Sequence, residues 1–400
     1  MRLRSVLCFA VAVLFGVVAA ACGSTPTLTV VPTLTPRPTF TSTPNAPTPT
    51  ATPSATSSPT PTSTPVPPTA TATPNPNINP LTGLAVANPA LLQRRPIQVC
   101  VNNSPVARPQ YGLAQADIVY EYVMDGWAVT RFTAMYLGQE ADRIGPVRSA
   151  RLINLHLGSM YDGALVASGA SIDVRWLLRN KGKSPYLDID LDDGANTAYS
   201  TSIGTYYETR LQTSTAALRR WLQKTGQEKP VAVSPLAFSV QVPASPSSSG
   251  KSLHVPYPSS SIADWAYDAK SLRYLRSAGG EAHMDGTTGK QLDADNVVVI
   301  YAAHSKTSIV EDSLGDTSIQ IGLAGEGRCL LLREGQAWAC TWKWDAPLSA
   351  ATIATGDTII VPGPTDAPLV LTGADGKALA LKPGRTWFEV VPFDYTVTAK

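Results

Sequence analysis

The residues best suited to chemistry are basic and lie around one turn. Residues 144–151 read Ile-Gly-Pro-Val-Arg-Ser-Ala-Arg, so Arg148 and Arg151 flank the start of a predicted helix. Arg131 lies on the strand predicted before them. Guanidinium groups bind phosphates and carboxylates through paired hydrogen bonds. Ser149 is placed to cap the helix, whose N-terminus offers free N–H groups and a positive dipole end. The pattern predicts an anion site for phosphate, pyrophosphate or an acidic glycan.

A structural interpretation of the same arginines stays open, because carboxylates are also near in sequence. The strands predicted at 117–125 and 129–137 form a hairpin, and a three-residue loop at 125–127 places Glu121 opposite Arg131. The arginines would then form scaffold ion pairs. If the protein were an enzyme, carboxylates of this group would be its general bases. The candidate partners are Asp117, Glu121, Asp142 and Asp173.

The usual catalytic and metal-binding signatures are missing from the sequence. It has no G-x-S-x-G and no H-E-x-x-H motif, and its four histidines are dispersed. Residues 188–194 resemble the start of a calcium loop, but Asp193 stands where that loop needs glycine and Tyr199 where it needs glutamate. We therefore predict no catalytic residue, no metal site and no cofactor, and a solvated acidic loop at 188–194.

Composition separates a low-complexity segment from the folded part. The chain has 400 residues, and 16 of its 34 prolines fall between Thr25 and Pro80 together with 18 threonines. Such a segment cannot bury enough apolar surface to offset its ordering entropy, so we predict a disordered tether. From Pro80 onward the chain carries 29 basic and 30 acidic residues. A net charge of −1 argues against nucleic acid as a partner.

The N-terminus is typical of a secretory signal. Arg2 and Arg4 precede the uncharged, mostly apolar residues 5–21, and a run of alanines ends at Cys22. This resembles a bacterial lipobox, which predicts cleavage before Cys22 and lipidation of that cysteine. One position departs, because Ala19 stands where leucine is usual. Ordinary signal cleavage and an uncleaved anchor remain alternatives. Lipidation would leave residues 22–79 as a tether on the membrane.

The remaining cysteines predict one disulfide. Two strands, 328–333 and 336–343, flank Glu334 and Gly335, and a two-residue loop there places Cys329 opposite Cys340. Cross-strand Cβ atoms lie about 4.5–5.5 Å apart, close to disulfide distance. An exported chain meets an oxidising compartment, so we predict the bond. A reduced pair, or a register shifted by one residue, remains an alternative. Cys100 lies in an apolar run and is expected to be a buried free thiol.

The folded part divides by pattern into two domains. Residues 80–242 mix strands with predicted helices at 149–160, 172–180 and 214–224. Residues 243–252 are rich in proline and serine and are predicted to be a linker. Residues 253–400 carry short strand patterns punctuated by turns. The expected fold is an α/β (α+β) N-terminal domain followed by a smaller, mainly β C-terminal domain.

A series of ordered motifs resembles the YerB-like lipoproteins, the DUF3048 family. The similarity covers about residues 79–392. The motifs are 79–84 (Asn-Pro-Leu-Thr-Gly-Leu), 95–96 (Arg-Pro), 101–103 (Val-Asn-Asn), 107–110 (Ala-Arg-Pro-Gln), 116–121 (Ala-Asp-Ile-Val-Tyr-Glu), 130–132 (Thr-Arg-Phe), 144–151, 274–276 (Tyr-Leu-Arg), 283–285 (His-Met-Asp), 296–298 (Asn-Val-Val) and 384–392 (Gly-Arg-Thr-Trp-Phe-Glu-Val-Val-Pro).

The resemblance implies a lipid-anchored extracytoplasmic protein with two family domains, a family named for its unknown function. This chain departs at Cys100 and Asn102, where the family pattern leads us to expect a larger apolar residue and aspartate. The motif positions that carry over are Asn103, Asp117, Glu121, Arg131, Arg148 and Arg151.

The predicted strand followed by a proline turn that carries Arg148 also resembles, more weakly, the LytR-CpsA-Psr enzymes, which handle polyprenyl-pyrophosphate glycans. They place aspartate directly after the arginine of the turn, where this chain has Ser149. A likeness at the level of the fold does not by itself establish a shared function.

Three hypotheses on function follow. The first is a cell-envelope binding or scaffold lipoprotein, held at the membrane by its lipid, with an anionic wall glycan or a lipid-linked pyrophosphate as ligand. The second is a transferase or hydrolase acting on polyprenyl-pyrophosphate-linked glycans. The third is an adaptor for an envelope protein, with Trp338, Trp342 and Trp344 as exposed contacts.

Overall fold

The structure, a computed structural model, describes residues 77–400, which lie in one compact unit. The predicted signal segment, the lipidated Cys22 and nearly all of the predicted tether lie outside the described residues. Within 77–400, no helix is long and apolar enough to cross a membrane.

Twenty-two strands and four α-helices make up the described part. The strands are β1 (Ile97–Asn102), β2 (Ile118–Val123), β3 (Thr130–Tyr136), β4 (Ala164–Ala167), β5 (Tyr186–Asp188), β6 (Thr201–Ser202), β7 (Leu211–Gln212), β8 (Ser248–Ser249), β9 (Ser252–Val255), β10 (Ala263–Asp268), β11 (Arg273–Ala278), β12 (Glu281–Ala282), β13 (Asp293–Ala294), β14 (Asn296–Val310), β15 (Thr317–Gly322), β16 (Gly325–Arg333), β17 (Gln336–Trp344), β18 (Leu348–Thr352), β19 (Thr358–Pro362), β20 (Val370–Gly373), β21 (Thr386–Pro392) and β22 (Thr398–Ala399). The helices are α1 (Ile153–Tyr161), α2 (Ile172–Asn180), α3 (Ile189–Asp192) and α4 (Thr215–Lys224).

One twelve-stranded mixed sheet contains strands from both predicted domains. Its order is β20-β17-β16-β14-β21-β2-β3-β1-β4-β5, with β15 on β14 and β8 on β17. Strand β21 pairs in parallel with β14 on one side and with β2 on the other. All seven of its residues are buried, as expected for a strand with neighbours on both edges and both faces covered. The fold is sheet-rich with few helices, and its α-helices all lie in the N-terminal half.

A second sheet packs on the first. Its six strands run β12-β11-β10-β9-β22, with β13 on β11. Trp265 of β10 meets Trp387 of β21 with ring centroids 5.3 Å apart in an edge-to-face contact. Both indole rings are buried, and such pairs add about 0.5–1.5 kcal/mol beyond their area. The contact joins the small sheet to the centre of the large one.

The tryptophans of β17 belong to the core. Along this strand buried and exposed residues alternate, which is the pattern of a strand with one face on the core. Trp338, Trp342 and Trp344 are at most 3% exposed. The hypothesis that they form an exposed protein contact is therefore wrong, because period-two alternation turns all three inward together.

Strands β16 and β17 form the hairpin that carries the cysteines. Arg333 lies opposite Gln336, as the sequence predicts for a two-residue turn. Both turn residues have positive φ, which favours this tight connection. Cys329 faces Cys340 with Cα atoms 4.8 Å apart, and a disulfide joins them. Cys100 is a buried free cysteine.

The hairpin of β2 and β3 has another register than the sequence predicts. Val123 pairs with Thr130, so six residues connect the strands rather than three. Tyr122 faces Arg131, and Glu121 faces Phe132. Because side chains alternate between faces, a shift of one residue exchanges the faces. The prediction that Glu121 lies opposite Arg131 is wrong, and the two point to opposite sides of the sheet.

Candidate functional site

The arginine cluster lies at one row of strand ends of the large sheet, called the arginine edge below. Strands β1, β4 and β5 are parallel neighbours, so their carboxyl ends meet at this edge. Strand β3 runs antiparallel to β1 and begins there, with Arg131 opposite Asn102. In open α/β sheets, ligands bind outside the carboxyl ends of the strands.

The segment 144–151 crosses this edge as extended chain. The N–H of Arg148 donates to the Cys100 carbonyl at 3.0 Å, and that of Ala150 donates to the Gly169 carbonyl at 2.9 Å. Both N–H groups are therefore bonded to backbone carbonyls, whereas at a helix N-terminus they would be free to bind an anion. Helix α1 begins only at Ile153, and the N–H of Arg151 donates to the Asn154 side chain at 2.8 Å. The prediction that Ser149 caps this helix is wrong.

Arg131 is buried without a carboxylate of its own. Its side chain points from β3 toward the crossing segment, where Nη1 donates to the Ser149 carbonyl at 3.4 Å. Only 5% of the residue is exposed, and Nε has no hydrogen-bond partner among the described residues. Burial, together with the charges of Arg151 and Arg148, lowers the pKa of Arg131 to about 10. The group is still a cation at neutral pH.

Arg148 has a similar unsatisfied donor. Its Nη1 is buried and has no hydrogen-bond partner in the described part of the chain. The guanidinium carbon lies 4.5 Å from the centroid of the Tyr207 ring, in a cation–π contact. Tyr207 belongs to the loop between β6 and β7, which the sequence did not connect with the arginines. That loop is attached to the sheet edge where Asn102 Nδ2 donates to the Glu208 carbonyl at 3.1 Å.

Arg151 is neutralised by two carboxylates. Its Nε and Nη2 bind both oxygens of Asp125, and Nη1 lies 3.4 Å from Glu311 Oε2. Burial alone would lower the pKa of Arg151, but Glu311 and Asp125 outweigh it and raise that pKa. The structural interpretation therefore applies to Arg151, with partners that the sequence did not identify. Asp125 follows β2 and Glu311 follows β14, so tertiary pairing brings them together.

Of the three clustered arginines, only Arg151 has a salt bridge to a carboxylate of the described residues. The carboxylates of Asp125 and Glu311 both bind Arg151. Arg131 and Arg148 have no salt bridge to any described residue, while each carries a buried, unsatisfied N–H. Burying a charge is costly unless it is paired and hydrogen-bonded. An anion that accepts from Arg131 and Arg148 would satisfy both requirements.

The other predicted site residues lie elsewhere. Asp117 is at the far end of β3, where it accepts from the N–H groups of Leu137 and Gly138 at 2.6 and 2.9 Å and from Asn79 Nδ2 at 2.9 Å. Burial raises the pKa of Asp117 to about 6. Leu137 lies six positions after Arg131, about 20 Å of extended strand. Asp117 therefore secures the end of the hairpin and takes no part in the arginine site.

Asn103 and Glu121 lie together on the opposite face of the sheet from Arg131. Asn103 Nδ2 donates to Glu121 Oε1 at 3.1 Å and to Thr130 Oγ1 at 2.7 Å. Glu121 Oε2 accepts from Arg276 Nη2 at 2.6 Å, and both side chains are fully buried. These two predicted site residues are thus part of an ion-pair network between the sheets.

A second glutamate joins this network. Glu389 of β21 is the direct neighbour of Glu121 in the parallel pair β2–β21. Its Oε1 accepts from Trp265 Nε1 at 2.7 Å, whereas Oε2 is buried without a hydrogen-bond partner in the described residues. Burial and the nearby Glu121 raise the pKa of Glu389 well above its usual value. Because Arg276 already pairs with Glu121, we assign Glu389 as the protonated member of the pair.

Comparison with known proteins gives consistent matches over most of the chain. The family model described as "Protein of unknown function (DUF3048) N-terminal domain" matches residues 81–228, and the corresponding C-terminal domain model matches residues 253–365. A Bacillus subtilis protein named "Putative lipoprotein YerB" is 30% identical over 319 residues, which cover 78% of this chain and 86% of that protein. The crystal structure of YerB from Bacillus subtilis matches with a TM-score of 0.65 and 27% identity, over 80% of this chain and 99% of that one.

Proposed function

The chain belongs to the DUF3048 family of YerB-like lipoproteins, and we propose that it is an extracytoplasmic, lipid-anchored protein that binds an anion at Arg131 and Arg148. The ligand is a phosphate, a pyrophosphate or an acidic glycan of the cell envelope. The membrane is reached through lipidated Cys22, and residues 22–79 are the tether. A relative named as a lipoprotein and the signal-like N-terminus support this placement.

One observation carries the proposal. Two neighbouring arginines, one of them 95% buried, have no carboxylate partner within residues 77–400, and each has a buried N–H without an acceptor. A scaffold arginine would resemble Arg151, which holds two carboxylates. This contrast separates a structural arginine, Arg151, from two that are free to bind, Arg131 and Arg148.

Binding is favoured over catalysis because two of the three candidate general bases lie away from the arginines, and the carboxylates that lie beside them, Asp125 and Glu311, are paired with Arg151. The candidate general bases for a transferase or hydrolase were Asp117, Glu121 and Asp173. Asp117 is committed to backbone N–H groups at the other end of β3, and Glu121 faces the opposite side of the sheet. Neither is within hydrogen-bonding reach of a ligand at Arg131 and Arg148.

Thermal unfolding of the full chain in detergent tests the proposal. Phosphate, pyrophosphate and anionic wall glycans are titrated with and without Mg²⁺. A ligand at 100 times its dissociation constant stabilises the native state by about 2.7 kcal/mol. We expect Arg148→Ala to abolish this shift. Arg179→Ala is the matched control, because Arg179 is a surface arginine paired with Asp192, and it should leave the shift unchanged.

Two results would count against the proposal. One is the absence of a shift with any of these anions. The other is an equal shift in the Arg148→Ala variant and the unchanged chain. A shift that requires Mg²⁺ would instead favour the transferase hypothesis, since metal-assisted phosphoryl chemistry depends on the cation.

A further inference from the structure

The donors of the arginine site are deep rather than superficial. Arg131 Nε and Arg148 Nη1 are both buried. A charge-assisted hydrogen bond requires an acceptor oxygen about 2.7–2.9 Å from the nitrogen. A ligand must therefore place an oxygen inside the protein surface, beneath whatever covers Arg148.

Tyr207 is that cover. Its ring lies over the Arg148 guanidinium at 4.5 Å, while 55% of the residue remains exposed, so it forms part of the outer wall of the site. The loop around it is closed by a hydrogen bond from Ile203 N to the Arg210 carbonyl at 2.7 Å. Asn102 Nδ2 attaches the same loop to the sheet through the Glu208 carbonyl.

We propose that the site accepts a terminal phosphoryl group and excludes an internal phosphodiester, and that Tyr207 sets this restriction. The inference rests on the anion site proposed above and narrows its ligand class. A monoester has one substituent and three terminal oxygens, so it enters end-on with its substituent pointing past Tyr207 to solvent. A diester has two substituents, and when its oxygens reach the arginines one of the two is directed at the Tyr207 ring.

Three small anions with no, one and two methyl substituents test this proposal: inorganic phosphate, methyl phosphate and dimethyl phosphate. Each is titrated into the full chain in detergent, and binding is measured by calorimetry. The comparison is made at pH 5, where each probe carries mainly one negative charge because the second phosphate pKa is about 6. Charge is then matched, and the probes differ in how many of the phosphate oxygens carry a methyl group. We expect phosphate and methyl phosphate to bind alike and dimethyl phosphate at least about tenfold more weakly, a difference of about 1.4 kcal/mol.

Variants at position 207 test whether Tyr207 is the residue that excludes the phosphodiester. Tyr207→Ala should admit dimethyl phosphate and bring its affinity to within about threefold of methyl phosphate, about 0.7 kcal/mol. Tyr207→Phe keeps the ring and should keep the discrimination. Tyr206→Ala is the matched control, since Tyr206 is the adjacent, equally exposed tyrosine, 56% against 55%. Each variant is first melted without ligand to establish that it is folded.

The outcomes separate this inference from the proposed function. If phosphate binds, but both esters bind the unchanged chain equally, the anion site stands and the restriction is refuted. Discrimination that survives in Tyr207→Ala would refute the role of Tyr207. If no probe binds, at pH 5 or at pH 7, the anion site itself is refuted and this inference falls with it.

Discussion

Replacing Glu389 by glutamine should leave the protein at least as stable at neutral pH, and the advantage should grow with pH. Glu389 is fully buried next to Glu121, and burial together with that neighbour raises its pKa well above the usual value. Arg276 pairs with Glu121 at 2.6 Å. Glu389 therefore holds its proton in the native state, and a neutral amide of the same shape preserves the acceptor that Trp265 uses.

The magnitude follows from proton linkage. A carboxyl whose pKa is raised on folding binds more protons in the native state than in the unfolded state, so its contribution to stability falls as pH rises above the unfolded pKa of about 4.3. While the native group stays protonated, the fall is about 1.4 kcal/mol per pH unit. Glutamine does not titrate and has no such slope. Between pH 5 and pH 7 the stability difference should therefore move in favour of Glu389→Gln, at this rate for as long as the native group keeps its proton.

Urea unfolding of both proteins at pH 5, 6 and 7 measures this difference, and all other titrating groups cancel in the comparison. Glu121→Gln is the contrasting variant. It leaves Arg276 without its carboxylate, and breaking a buried pair in this way costs about 3–5 kcal/mol. Parallel stability curves for Glu389→Gln and the unchanged chain would refute the reasoning, because they would show that Glu389 is ionised in the native state.

Two further predictions concern the arginine edge and the disulfide. Arg151→Ala should destabilise the fold by about 3–5 kcal/mol in urea unfolding, because Asp125 and Glu311 lose their cation. Arg148→Ala should lower the free energy of unfolding by less than about 1 kcal/mol. Equal losses in the two variants would show that Arg148 is also structural. Replacing Cys329 and Cys340 together by serine should lower the free energy of unfolding by about 2–4 kcal/mol relative to the oxidised, unchanged chain. A reductant should lower the melting temperature of the unchanged chain but not that of the variant. An unchanged chain whose melting temperature does not respond to reductant would contradict this prediction.

Local signals predicted much of the fold. A two-residue turn at Glu334 and Gly335 fixes the register of β16 and β17, so counting outward pairs Cys329 with Cys340. The helices predicted at 172–180 and 214–224 are present as α2 and α4. A serine caps each of them, because Val174 N donates to Ser171 Oγ and Ala217 N donates to Ser214 Oγ. In these places the information needed lies within a few residues.

The predictions failed where a longer loop, or a segment distant in the sequence, determines the local structure. The loop between β2 and β3 has six residues, and this single error exchanged the faces of Glu121 and Arg131. Periodicity placed the start of α1 at Ser149, but the backbone there pairs with Cys100 and Gly169 instead. The partners of Arg151 are set by sheet topology, since Glu311 is 160 residues away in the chain.

The place of β21 in the sheet determines when the fold can be completed. Its residues fill the gap between β2 and β14, yet they come 268 residues after β2 in the chain. Until residues 386–392 are available, β2 lacks its neighbour on that side and presents an open strand edge, which is prone to pairing with other chains. Such distant pairings also make folding slow. A chain that crosses a membrane unfolded and N-terminus first would therefore complete its central sheet only when residues 386–392 have emerged.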